Sequence, residues 1–237
     1  MTWILGFDTA TRATAVALRG PGGLELEARD DPPPGERPRH AATLLPLCAQ
    51  LLAEAQIGFA ELDRLAVGIG PGTFTGLRIG VATARALAQA TGGPLVGVST
   101  LHSLALNGSR QGARAVVAVL DARRQEVFAA AWRRDELEVP GRALVAPAAF
   151  TPESLGERLQ RLSPAVLALG EGALEFRPVL ERAGAFVPDD DSELHRVTAT
   201  NHCWIARHLR PADPDQVRPE YLRLPDAELA RRAQAKT

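Results

Sequence analysis

Two stretches of this sequence, "WILGFDTATRATAVAL" (residues 3–18) and "VVAVLDARRQEVFAAAW" (residues 116–132), follow one scheme. Each reads as an apolar strand, an Asp at its end, a short polar turn and a second strand. Asp8 and Asp121 take equivalent places. Strand–turn–strand is a common unit and Asp favours turns, so the match gains its weight from the pattern around it. After the first copy, "PGGLELEARD" supplies a turn and a third strand, which makes an antiparallel meander. "DDPPPGERPR" is neither helix nor central strand and predicts an exposed loop. From His40 to Ala55, Leu44, Leu47, Cys48, Leu51, Leu52 and Ala55 recur at helical spacing, with Pro46 placed where a first turn tolerates it. "LDRLAVGIG" is a buried strand, "GPGTFTGLRIGVATARALAQAT" a glycine turn running into a helix, and "PLVGVS" the next strand. The order β-β-β-α-β-α-β predicts an α/β domain with a mixed sheet, and the second scheme predicts a related second domain. Beyond it, "TPESLGERLQRLS" reads as a capped helix, "AVLALGEGA" as strand into turn, and "TATNHCWIARHLRP" as a last helix. "AELARRAQAKT" is a polar tail, helical or disordered.

Composition removes several function classes. The 27 basic residues nearly balance the 28 acidic ones, so the chain is not a strongly basic nucleic-acid binder, and no basic run with interleaved aromatics stands out. Direct affinity for nucleic acid is therefore expected to be weak. Lys236 is the single lysine, which leaves no P-loop or Schiff-base lysine in the body of the chain. "MTWILGFDTA" has no charged leader and no long apolar run, which argues against a signal peptide, and no apolar stretch reaches membrane-spanning length. Cys48 and Cys203 make no disulfide framework, so a reducing cytoplasm is expected.

The glycine turn invites a phosphate reading. A Walker A loop needs Gly-Lys-Ser/Thr, but Gly76 is followed by Leu77; a dinucleotide fingerprint needs closer glycines and a later acidic residue, both missing. A tight strand-to-helix turn explains the glycines, while the amide-rich helix start still suits an anion. Asp8 at a strand end suits either a magnesium–phosphate group or a turn cap. The candidate nucleotide or anion contacts are thus Asp8, Thr9, Thr11, Gly72 and Thr73. His40, His102, His195, His202 and His208 form no HExxH or HxxxH pair, so no metal site is expected and packing or surface roles are. Cys48, on an apolar helix face, reads as core or interface rather than nucleophile. Gly76, Gly80, Ala84 and Ala88 recur every four residues as one helical ridge, suited either to core packing or to close approach by a partner helix.

Taken together, "ILGFDTAT", "HAATLLP", "GIGPGTFTGLRIGVATARALA", "PLVGVSTL", "LDARRQEVF" and "PEYLR" resemble the TsaB (YeaZ) family in order and spacing. The likeness runs to about Arg223 and is weakest between Glu136 and Asn201. It implies an actin-like fold (ASKHA, ribonuclease H-like) of two related subdomains with mixed sheets, the second reduced. The expected boundaries are 1–102, 103–223 and a tail at 224–237, with a helix near 198–210 packing back on the first subdomain.

The resemblance also implies a non-catalytic subunit that activates a TsaD-like enzyme in threonylcarbamoylation of the adenosine next to the tRNA anticodon. A TsaE-like ATPase, self-association and tRNA reached through the complex complete the implied partners; no cofactor is expected in the isolated chain, and ATP or ADP at a subunit junction is left open. The metal ligands of the TsaD-like paralogue correspond to Thr100 and Leu104, which are not imidazoles, with His102 out of register between them. The implied partner interface comprises Leu44, Leu45, Cys48, Leu52, Gly76, Gly80, Ala84 and Ala88. The rival readings are a small-molecule kinase or phosphotransferase of the actin-like superfamily and a metallopeptidase.

Overall fold

Apolar residues that alternate along the opening strands have two faces to cover, and the fold covers both with helices. The computed structural model describes residues 2–33, 35–138, 141–162 and 165–223; the polar tail expected at 224–237 lies outside them. In chain order the first half contains β1 (Ile4–Asp8), β2 (Thr14–Arg19), β3 (Glu25–Asp30), α1 (His40–Glu54), β4 (Arg64–Gly70), α2 (Phe74–Thr91), β5 (Leu95–Ser99) and α3 (Thr100–Leu106). The second half contains β6 (Ala115–Arg123), β7 (Glu126–Arg133), β8 (Val145–Phe150), α4 (Pro152–Gln160), β9 (Val166–Leu169), α5 (Glu171–Glu175), α6 (Arg177–Arg182), β10 (Ala185–Phe186) and α7 (Ala199–Ala206).

The two sheets share one topology. The first is ordered β3-β2-β1-β4-β5 and the second β8-β7-β6-β9-β10. In each, three antiparallel strands are extended by two parallel ones. The reduction of the second half lies in its last strands and its helices. Its β9 and β10 have 4 and 2 residues, and α4 has 9 where α1 has 15. Among the described residues no helix is long and apolar enough to cross a membrane.

Three apolar layers hold the sheets. Leu5, Phe7, Val16, Leu65 and Val67 face α1 and α2. The middle layer joins Ile4, Ala17 and Val98 of the first sheet with Val116, Ala118 and Leu120 of the second, and α3 and α7 fill it. Leu155, Leu159, Ala173 and Leu180 cover the far face of the second sheet. Period-two alternation sends neighbouring residues of β1 into different layers, Ile4 to the middle and Leu5 to the outer one.

The local signals explain where α2 begins and ends. Thr73 caps its start by accepting the Gly76 amide at 3.3 Å, and Gly92 ends it in the left-handed conformation at φ 66°. Pro46 stands in the second turn of α1 rather than the first. It is exposed, as is Ala42, whose carbonyl loses its helical partner and opens to water.

The small-residue ridge requires a correction. Gly76, Gly80, Ala84 and Ala88 are buried inside this chain, as are Leu44, Cys48 and Leu52. Of the eight residues expected at a partner interface, Leu45 alone is exposed, at 47%. The small side chains serve an internal approach. A Cβ on Gly76 would overlap the Thr9 carbonyl, and one on Gly80 would overlap the Thr9 hydroxyl. The ridge thus seats α2 on the β1–β2 turn. The outward ridge is Arg78, Ala82, Ala86 and Ala90, two positions along and about 200° round the helix. On α1 the outward ridge is Ala41, Leu45, Ala49 and Ala53.

Gly80→Leu is therefore expected to destabilise the isolated chain by about 1–3 kcal/mol or more, because the branched side chain must displace Thr9. Thermal unfolding of the dilute protein measures this. An unchanged or raised melting temperature would show that the ridge has free space in front of it.

Candidate functional site

The β1–β2 turn, the glycine turn and the β6–β7 turn meet at the ends of the central strands of the two sheets. Asp8 Oδ1 accepts the Ala10 amide at 2.7 Å, and Asp121 Oδ1 accepts the Arg123 amide at 2.6 Å. The duplicated Asp residues thus cap the same kind of turn. Their other oxygens diverge. Asp121 reaches Arg123 at 2.9 Å and is partly open to solvent. Asp8 is buried, with Oδ2 2.9 Å from His202 Nε2 and 2.8 Å from the Thr100 hydroxyl that donates to it. Gly68 makes this possible, since a Cβ there would overlap the carboxylate. Burial pushes the Asp8 carboxyl up. The bond to His202, the charge of His202, the Ala10 amide and the Thr100 hydroxyl together outweigh it and hold the group below its usual 3.8.

His202 continues the network. Its Nδ1 lies 2.9 Å from Ser103 Oγ and 3.0 Å from the Thr198 carbonyl. Ser103, His202 and Asp8 thus stand in line, as in a nucleophilic triad. All three are sealed from solvent, and the Ser103 hydroxyl donates to the Thr198 carbonyl at 3.1 Å. The arrangement binds α3 and α7 to β1 and offers no nucleophile to a substrate.

The candidate nucleotide contacts fall into two groups. Thr11, Gly72 and Thr73 line a cleft of about 250 Å³, together with Phe74, Asp121 and Arg123. Asp8 and Thr9 lie behind it, buried. The Thr9 hydroxyl donates to the Gly76 carbonyl at 2.8 Å, and the Thr73 amide donates to the Ala10 carbonyl at 2.7 Å. The β1–β2 turn therefore occupies one of the α2 amides that an anion would use.

The positions matched to a paralogue's metal ligands are filled. The Thr100 hydroxyl is engaged with Asp8, and Leu104 is fully buried in the middle layer. His102 Nε2 lies 2.9 Å from the Leu137 carbonyl, and its ring stacks on Trp132 at 5.2 Å. His40 pairs with Thr14 at 2.8 Å, and His195 accepts the Gly170 amide at 3.1 Å. Among the described residues, no group of three His, Cys, Asp or Glu side chains is arranged to hold a metal ion. Burial pushes the Cys48 thiol up to about 12, so it is inert as a nucleophile.

Sequence reasoning missed His202 as the partner of Asp8. The two are 194 positions apart, and neither carries a local signal for the other. It also missed a surface cluster at the α2 start. There the Phe74 and Tyr221 rings lie 5.3 Å apart, the Arg78 guanidinium sits 4.0 Å over Phe74, and Arg78 Nε donates to the Tyr221 hydroxyl at 3.3 Å. The lone Tyr of "PEYLR" and the Phe that follows the turn in "GTF" are the signals that could have joined them.

Comparison with known proteins fits this geometry. A family model described as "TsaD: tRNA N6-adenosine threonylcarbamoyltransferase" matches residues 33–173. The chain is 35% identical over 189 residues to the tRNA threonylcarbamoyladenosine biosynthesis protein TsaB of Escherichia coli (strain K12), covering 79% of each. It superposes on YeaZ from Pseudomonas aeruginosa with a TM-score of 0.77 and 29% identity, covering 94% of this chain and 100% of that one. A ROK hexokinase from Thermus thermophilus matches with a TM-score of 0.50 and 14% identity over 85% of this chain and 97% of that one, a likeness of fold alone. That likeness places the two sheets in the actin-like class.

Asp8→Asn is expected to lower stability by about 1–3 kcal/mol at neutral pH, as a buried acceptor for His202 and Thr100 is lost. Because the folded carboxyl lies below 3.8, its contribution is complete above that value and fades as pH falls through the lowered one. The gap between wild type and Asp8→Asn should therefore narrow as the pH falls below 3.8, measured by urea unfolding. A gap that widens on acidification would contradict the assignment.

Proposed function

The chain belongs to the TsaB (YeaZ) family, and we propose on that footing that it activates a TsaD-like catalytic subunit by docking, with no chemistry of its own. It is a non-catalytic partner in tRNA threonylcarbamoylation. The observation that carries the reading is the fate of Thr100 and Leu104. One is bonded to Asp8 and the other is core, so neither position offers a metal donor. The buried Ser103–His202–Asp8 line supports the same reading, because no substrate reaches it.

The docking surface we propose is the outer face of α1 and α2. Ala41, Leu45, Ala49 and Ala53 run along one helix, and Ala82, Ala86 and Ala90 along the other, all exposed. The two helices lie side by side over the same face of the first sheet. Small side chains let partner helices come close, and Leu45 stands among them as an apolar knob. Phe74, Tyr221 and Arg78, residue types common at binding hot spots, mark the end of this face.

A TsaE-like ATPase and a second copy of this chain are further proposed partners, with tRNA entering through the assembled complex in the cytoplasm. We propose further that ATP or ADP binds at a subunit junction bordered by Thr11, Gly72 and Thr73, which line the cleft between the turns.

Leu45→Asp and Ala82→Arg are expected to leave the melting temperature of the isolated chain unchanged. Each should weaken its binding to the TsaD-like subunit at least tenfold, about 1.4 kcal/mol, in calorimetric titration. Intact affinity in both variants would move the docking surface elsewhere. In reconstitution with tRNA and all substrates, this chain alone should give no modified tRNA, and turnover without the partner would overturn the non-catalytic reading.

A further inference from the structure

We propose that an arginine-lined concavity at the far end of the second sheet binds the phosphodiester backbone of RNA, an inference that rests on the chain's place in a tRNA-modifying complex. The concavity measures about 620 Å³, and its lining includes Arg114, Arg133, Arg134 and Arg161 against a single carboxylate, Asp135. All four arginines are exposed. The fold brings them together from three places. Strand register sets Arg133 opposite Ala115, and the Arg134 amide donates to the Arg114 carbonyl at 3.0 Å. The Arg114 amide donates to the Ala165 carbonyl at 2.9 Å, which draws in the segment after α4 that carries Arg161.

These charges are free to meet a ligand. Arg133 has a carboxylate at 3.9 Å, that of Glu136. Arg114, Arg134 and Arg161 have no carboxylate partner among the described residues. Leu144, 43% exposed, adds an apolar element to the same lining. Guanidinium forks match phosphate oxygens in pairs, and their planes stack on unpaired bases. The site lies at the start of β6, where Ala115 is eight positions from Arg123. At about 3.3 Å per residue that is roughly 26 Å away from the cleft. It also lies on the second subdomain, while α1 and α2 cover the first, so docking would leave it open.

An acidic protein segment is the rival occupant. Extended peptides pair with an open strand edge and helical ones lie in an apolar groove. This concavity sits at the ends of β6 and β7, which already have neighbours on both sides, and Leu144, just before the edge strand β8, is its one large exposed apolar side chain, too little for an apolar groove. Phosphates need only the guanidinium groups. The sequence concealed the cluster because its members are spread from residue 114 to residue 161 in a chain of net charge −1.

The test is tRNA binding by the complex of the full chain with its catalytic subunit, followed by fluorescence anisotropy over a range of salt. Arg114→Gln, Arg134→Gln and Arg161→Gln combined should weaken binding at least about tenfold at low salt and reduce the log–log salt slope by about two to three. The corresponding triple Lys variant should keep the wild-type slope, since its charges remain. Melting temperature and affinity for the catalytic subunit should not change in either variant. Loss of subunit affinity in the wild type would instead fault the family-based reading, a result recorded separately from RNA binding. Equal tRNA binding by wild type and the triple Gln variant would overturn the proposal, as would no binding of tRNA by the wild-type complex. A polyglutamate peptide that binds this face while tRNA does not would reassign it to an acidic protein segment.

Discussion

The carboxylate of Asp8 is the tie on which the first subdomain and the middle layer depend. It joins the end of β1 to Thr100 at the start of α3 and to His202 in α7, and through His202 to Ser103. A carboxylate this deeply buried is tolerated only when its charge and lone pairs find partners. Here two helices and one turn amide supply them, which fixes the positions of all three. The chain segment bearing α7 comes from the end of the sequence and closes over the strands of its beginning. An Asp at the corresponding turn of the second subdomain stays near the surface and pairs with Arg123, so the burial belongs to one copy of the duplicated unit.

That tie also explains why the chain resembles enzymes without behaving like one. Its fold is shared with a hexokinase. Yet the Asp that would face a metal–phosphate group is turned inward, and Thr9 and Ala10 close against the glycine turn. What remains accessible is surface: a cleft edge, an alanine-rich outer face on two helices, and an arginine-lined hollow on the second subdomain.

Much of the architecture could be read from the residues. Apolar runs located β1, β2, β4 and β5, an alternating pattern located β3, and the duplicated strand–Asp–turn scheme foretold a related second domain, which the shared sheet topology matches. The Thr73 cap and Gly92 set the limits of α2. The ridge Gly76–Ala88 was visible as a row of small residues, but its direction was not. Four-residue spacing says that side chains share a face and leaves open whether that face meets a sheet or solvent. Strand residues decide it, because Phe7, Val67 and the Thr9 turn must be covered by something. The partnership of Asp8 with His202 and the gathering of Arg114, Arg134 and Arg161 were hidden for another reason. Both depend on long-range chain closure that no local pattern encodes.

The central claim is that Asp8 holds the structure together and takes no part in chemistry. The most direct measurement is the rate of tRNA threonylcarbamoylation by the TsaD-like subunit reconstituted with Asp8→Asn, at a temperature where that variant is fully folded. The account predicts turnover equal to that supported by the wild-type chain at saturating concentrations of either. Loss of turnover with a folded, partner-bound Asp8→Asn chain would contradict it and return Asp8 to the reacting site.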